Sequence, residues 1–385
     1  MNDQDDLKRR IVESKLLEPA ELDALVEAAA QAEGAPLLLD FLTQQERLTE
    51  FEAGALAAGL TGPFMLGPYR VHERIATSRR GDLFRAVHEE FNQPVTLKVF
   101  SAAQAADPEQ LARMRREIRV AVQLDHPNII RSFQVSRAGN LYFIAFEDLK
   151  GESLATRLTQ IRWLELPEMC RLGKQAAQGL ESMHASGVIH NDVQPANLWI
   201  DEYEQLKIME FGSARDSLSY LDQVEGSDAP LGDASAEGST AAAAASPYVA
   251  PEVVKDPSAA SAESDIYSLG VALFNGFTGD FPPPEFDPKT YANRSVIWPA
   301  TLVDTIRRML SADPAERPAL SEVSQELAQH YDERNMAATT KWNPEFVAWA
   351  EQANLPVVDG SFFDGVANEV TDEFADFANW LSAKK

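Results

Sequence analysis

Seven short motifs stand in one fixed order along this chain, and that order restricts the fold more than any single residue does. Lys98 lies in the apolar run Val95-Thr96-Leu97-Lys98. Glu117 follows in Arg115-Arg116-Glu117-Ile118. Then come the polar octet His190-Asn191-Asp192-Val193-Gln194-Pro195-Ala196-Asn197, the triplets Glu210-Phe211-Gly212 and Ala250-Pro251-Glu252, Asp265 before Ile266, and Arg317 before Pro318. Each is weak alone. Their order and spacing are specific.

The hydrophobic pattern supplies elements on which to hang them. Pro94–Phe100 alternates and is β-branched, so it predicts a strand, and the apolar run 141–147 predicts another. Leu166–His184 predicts a long helix, as does Leu111–Leu124. The chain after Asp265 reads as mainly helical to about Tyr331. Residues 1–65 carry 13 acids against 5 bases and show apolar residues at helical spacing from Leu7 to Leu60. Pro19 suits the first turn of a helix. From Asp216 to Glu237 there are six acids, followed by five alanines at Ala241–Ala245, a composition that predicts a loop. Near the end, Phe363, Val366, Val370, Phe374, Phe377 and Leu381 predict one apolar stripe on an acidic helix.

The net charge of −26 disfavours phosphate backbones and anionic lipid, so no nucleic-acid partner is expected. Basic protein segments are the better match. No run of about 18 apolar residues occurs, so no membrane span is expected. The opening residues carry no apolar leader pattern. The single cysteine, Cys170, excludes an internal disulfide and reads as a small core residue, which suits a cytoplasmic location.

The ordered motifs resemble the protein-kinase signature set over roughly 66–332, and in detail bacterial Ser/Thr kinases with an added N-terminal helical segment. The resemblance implies an α+β, bilobal protein-kinase-like fold, beside which the apolar spacing predicts an N-terminal helical extension (1–65) and an acidic C-terminal tail (333–385) with an amphipathic helix. The smaller lobe would span 66–147 and the larger lobe 148–332. It implies ATP and Mg²⁺ as cofactors, their binding weak or absent here. Lys98 takes the place of the lysine that holds the α- and β-phosphates, with Glu117 as its ion-pair partner. Asp192 takes the place of the base, and Asn197 and Glu210 those of the magnesium ligands. His190, Phe211, Glu252, Asp265 and Arg317 fall at structural positions, Arg317 pairing with Glu252.

Several parts depart from the family pattern. Residues 76–81 keep only Gly81 of three glycines, with Ala76 and Ser78 in place of the others, and glycine there lets backbone amides approach phosphates. Glu210 adds a methylene where the family has aspartate, and magnesium tolerates little misplacement. Gln194 replaces the lysine that steadies the transferring phosphoryl group, and Ala245 falls where a threonine touches that lysine. Asn191 replaces the arginine that holds a phosphorylated activation loop. Thr96 and Trp199 would crowd the adenine site. The pattern implies a catalytically impaired pseudokinase acting as a regulatory or interaction module, with the N-terminal helices or C-terminal helix meeting protein partners. The alternatives are an active, atypical Ser/Thr kinase transferring the ATP γ-phosphoryl to a protein hydroxyl and, more remotely, a small-molecule phosphotransferase.

Overall fold

The computed structural model describes residues 3–32, 37–62, 64–76, 81–100, 120, 124–138, 141–210, 215–216, 246–283, 298–331 and 348–349. Ser78, Glu117, Phe211, Ala245 and the stripe from Phe363 to Leu381 lie outside the described residues. The chain forms two compact units. One comprises Met1–Leu111, Ser132–Asp148 and Trp342–Lys385, and the other Ala112–Arg131 and Leu149–Lys341.

The first unit opens with α1 (Asp3–Glu13), α2 (Pro19–Gln31), α3 (Leu38–Gln44) and α4 (Glu50–Ala57). Pro19 starts α2, where its missing N–H costs no helical bond. Thr49 and Glu52 form a capping box at α4, each side chain accepting from the other's backbone N–H. Six strands follow: β1 (Met65–Leu66), β2 (Tyr69–Ala76), β3 (Asp82–His88), β4 (Gln93–Phe100), β5 (Ser132–Ala138) and β6 (Leu141–Glu147). They pair antiparallel in the order β1-β2-β3-β4-β6-β5.

The alternation of β4 and β6 sorts their side chains onto two faces. Val95, Leu97, Val99, Leu141, Phe143 and Ala145 share one hydrophobic core with Ile11, Leu22, Phe41, Leu42 and Leu56 of the helices. The four helices thus pack on one face of the sheet. Arg70 fastens them to β2, its Nε and Nη2 donating to the fully buried Glu52 carboxylate at 2.9 and 3.0 Å. Thr96 and Lys98 point to the opposite face.

The second unit holds a small sheet, in the order β10-β9-β7, of β7 (Gly151–Ser153), β9 (Leu198–Asp201) and β10 (Leu206–Ile208). A second pair joins β8 (Val188–Ile189) to β11 (Arg215–Asp216). Its helices among the described residues are α5 (Leu154–Ile161), α6 (Leu166–Ala185), α7 (Pro251–Lys255), α8 (Ala262–Thr278), α9 (Ala300–Met309) and α10 (Leu320–Ala328). The central helix α6 lies against α8 and α10 at Gly173, where a Cβ would stand 2.4 Å from the Leu273 side chain and 3.1 Å from Leu327. Cys170 is buried on the same helix, and burial pushes its thiol up to about 12, which removes thiolate reactivity. No helix among the described residues is long and apolar enough to cross a membrane.

Candidate functional site

The polar octet forms a loop between β8 and β9, and one buried carboxylate holds it. Asp265, in the first turn of α8, is fully buried. Its Oδ2 accepts from the His190 backbone N–H at 2.8 Å, and its Oδ1 from that of Asn191 at 2.8 Å. His184 at the end of α6 adds a ring contact to Oδ2 at 2.8 Å. A buried carboxylate is tolerable only with such a set of partners. His184 carried no signal in the sequence, because a lone histidine near a helix end has no periodicity to mark it.

His190 is fully buried and bridges the loop to the strand beyond. The Asp192 backbone N–H donates to its Nδ1 at 3.2 Å, so that nitrogen is an acceptor. Nε2 therefore carries the proton and donates to the Met209 carbonyl at 2.8 Å. Both ring nitrogens are committed to backbone, which makes His190 an architectural residue. Asn197 Nδ2 donates to the Asp192 carbonyl at 2.7 Å, and the Met209 N–H donates to the Asn197 carbonyl at 3.0 Å. These bonds tie Asp192, Asn197 and the residue before Glu210 into one frame.

Two frame residues have left-handed backbones, Asn191 at φ 63° and Glu210 at φ 68°. Asparagine enters that region at low cost, whereas glutamate does so less readily. Asparagine at 191 thus has a backbone reason. Gln194 carries a neutral amide two residues after Asp192. Its Nε2–H donates to Asp192 Oδ1 at 2.6 Å, so the amide bonds the very carboxylate that would act as base. Trp199 sits on β9 opposite Lys207, half-buried, and its indole N–H is buried with no hydrogen-bond partner among the described residues.

The anchor of this unit is the pair Glu252–Arg317. Arg317 donates from Nη1 and Nη2 to the two Glu252 oxygens at 2.6 and 2.8 Å, and to the Glu263 and Ser311 carbonyls at 2.8 and 3.1 Å. Its guanidinium also lies 5.1 Å from the Tyr267 ring centroid. Burial raises the Glu252 carboxyl, but the Arg317 hydrogen bonds and charge, with hydrogen bonds from backbone and Ser264, together outweigh it and hold the group below its usual range.

In the sheet unit, Lys98 is buried on β4 between Leu83 and Ile144, with Nζ 5.5 Å from the Phe100 ring centroid. Thr96 is buried two residues away on the same face. Ala76 closes β2 after a register shift and pairs with Leu83. Gly81 has φ +113°, and a Cβ there would stand 3.0 Å from the Val99 carbonyl and 3.3 Å from the Phe100 ring. This glycine is required by its own packing on β4, whatever binds nearby.

The arrangement presents, in one unit, a carboxylate on a rigid loop with oxygen donors at Asn197 and Glu210, and in the other a buried lysine on a central strand. Residues 69–330 match the family described as "Protein kinase domain". Among curated relatives, the Serine/threonine-protein kinase PknA of Mycobacterium tuberculosis is 29% identical over 269 residues, 67% of this chain and 59% of its own. The Serine/threonine-protein kinase PrkC of Bacillus subtilis is 27% identical over 223 residues, 58% of this chain and 32% of its own. CBL-interacting protein kinase 12 of Oryza sativa is 30% identical over 222 residues, covering 58% of this chain and 38% of its own. This chain thus covers less than two thirds of the length of each of these relatives.

Proposed function

The chain belongs to the protein kinase family, with its α+β bilobal fold, and we propose that it is a catalytically impaired member that works as a regulatory or interaction module. The carrying observation is the 2.6 Å hydrogen bond from Gln194 to Asp192. A neutral amide stands where the family places a cation, and it engages one oxygen of the base position. It lowers the electron density available to take a hydroxyl proton and offers no charge to the transferring phosphoryl group. Loss of one such electrostatic contact costs about 10²–10³ in rate. The longer, left-handed Glu210 adds a second misplacement, worth about 10². Starting from about 1–100 turnovers per second, two losses of about 10² leave about 10⁻² per second at best.

ATP and Mg²⁺ are the cofactors the family implies. Asn197 and Glu210 are oxygen donors of the kind magnesium takes, and Lys98 is a cation suited to phosphate. Bound magnesium would neutralise phosphate charge. The chain's own residues would orient the nucleotide, and Asp192 would hold a hydroxyl proton at Oδ2, the oxygen not engaged by Gln194. Partners would be proteins with basic segments, given the net charge of −26. They would meet the outer faces of α1–α4, whose inner faces pack on the sheet.

The double variant Gln194→Lys with Glu210→Asp tests this reading. Restored charge and metal geometry should raise phosphoryl transfer by at least about 10²-fold. No gain, in a variant that still melts cooperatively, would sink the idea that these two positions limit turnover. A second reading, a slow but active Ser/Thr kinase, is favoured by the frame that Asp265 keeps intact around Asp192 and Asn197. It requires that ATP with Mg²⁺ or Mn²⁺ at millimolar levels raise the melting temperature, and it fails if no shift is seen.

A further inference from the structure

The sheet unit contains an aromatic contact that the kinase signature does not call for. His88 ends β3, with Tyr69 and Gln93 as its cross-strand neighbours. Its ring meets Tyr69 edge-on, with centroids 5.1 Å apart, and Phe91 of the β3–β4 turn at 4.9 Å. Tyr69 continues the contact inward to Phe143 of the core at 5.9 Å. Trp349, from the far end of the chain, lies on the outer side of this row. Its ring is 4.7 Å from His88 at 66° and 5.7 Å from Phe91 at 40°. Such separations and angles are those of attractive ring pairs.

Three further observations give the contact meaning. Trp349 belongs with the sheet unit and not with the helical one. Trp349 is partly buried and packs on the same hydrophobic core that α1–α4 share with the sheet. Both His88 ring nitrogens are buried, and burial lowers the imidazole's proton affinity despite the nearby Glu90. At neutral pH the ring is therefore an uncharged aromatic surface, suited to an indole.

We propose that His88 and Phe91, backed by Tyr69, form a receptor for one aromatic side chain, and that Trp349 fills it in cis, so that the stretch carrying Trp349 is an intramolecular ligand of the sheet unit. Trp349 stands far from every residue discussed above as catalytic or nucleotide-binding in sequence, so its release can be tested without touching them.

The experiment uses the full chain and its Trp349→Ala variant, with hydrogen exchange followed by mass spectrometry. In the variant, amides of residues 86–93 and 345–353 should exchange at least about tenfold faster, a loss of about 1.4 kcal/mol in protection. Phe91→Ala, which alters only the receptor, should speed exchange in 345–353 in the same way. A synthetic peptide of residues 342–356 is then added to the Trp349→Ala protein. It should bind and restore slow exchange at 86–93, while the same peptide with Trp349→Ala should bind at least about tenfold more weakly. The peptide with Trp342→Ala should keep its binding. Unchanged exchange at 345–353 in both protein variants would overturn the proposal, as would a peptide whose effect does not depend on Trp349. Should Trp349→Ala fail to fold, Phe91→Ala retains the tail and removes one wall of the receptor, and wild-type exchange at 345–353 in that variant overturns the proposal equally.

Discussion

Replacing Arg317 by methionine keeps the aliphatic stem and removes the guanidinium. The side chain is fully buried and donates four hydrogen bonds, two to Glu252 and one each to the Glu263 and Ser311 carbonyls. The change leaves Glu252, whose side chain is 16% exposed, with no cation beside it among the described residues and with the Ser264 hydroxyl at 3.0 Å and its own backbone N–H as hydrogen-bond donors. Stranding one member of a buried pair costs about 3–5 kcal/mol. A domain of about 150–250 residues shifts its melting temperature by about 2–4 °C per kcal/mol, so the helical unit should melt about 6–20 °C lower. Circular dichroism on heating, with urea titration beside it, reads this directly. Adding Glu252→Leu should recover much of the loss, because the unpaired charge is then gone. Acid adds an independent check. The folded Glu252 carboxyl lies below its ordinary value of 4.5, so its contribution is fully present above that pH and is lost as pH falls through the folded value. The gap between wild type and Arg317→Met should therefore narrow in acid. A loss under about 1 kcal/mol, or a gap that widens in acid, would refute the reasoning.

Gly81→Ala should destabilise the sheet unit by about 1–3 kcal/mol, because φ +113° and the Val99 carbonyl at 3.0 Å leave no room for a Cβ; urea unfolding checks this. Thr49→Ala removes the cap of α4 and should cost about 0.5–2 kcal/mol in the same assay. Asn191→Val should cost more than Asn191→Gly, since φ 63° penalises a β-branched residue, and paired thermal melts would show the order.

Much of the fold is legible in the sequence, and the misses have physical causes. Alternation in Pro94–Phe100 marks β4, and the long amphipathic run marks α6 almost to its last residue. What alternation cannot tell is that both faces of β4 are covered, because the cover on one face comes from α1–α4, which end at Ala57, well before β4 begins at Gln93. Periodicity marks those helices as amphipathic without naming the surface they meet. At the site, residue types are readable and their partners are not. Gln194 reads as a lost charge, but its bond to Asp192 depends on a side-chain rotamer. Gly81 reads as the survivor of a phosphate loop, whereas its left-handed backbone gives it a separate reason to be glycine. Trp349 gave no signal, since one aromatic outside a periodic run has nothing to set its direction.

Transfer of labelled γ-phosphoryl from ATP with Mg²⁺ to a generic protein substrate, compared between wild type and Asp192→Asn, bears most directly on the impaired-kinase reading. The reading predicts two indistinguishable rates, both below about 10⁻² per second. A wild-type rate of about 1 per second or more that disappears in Asp192→Asn would contradict it.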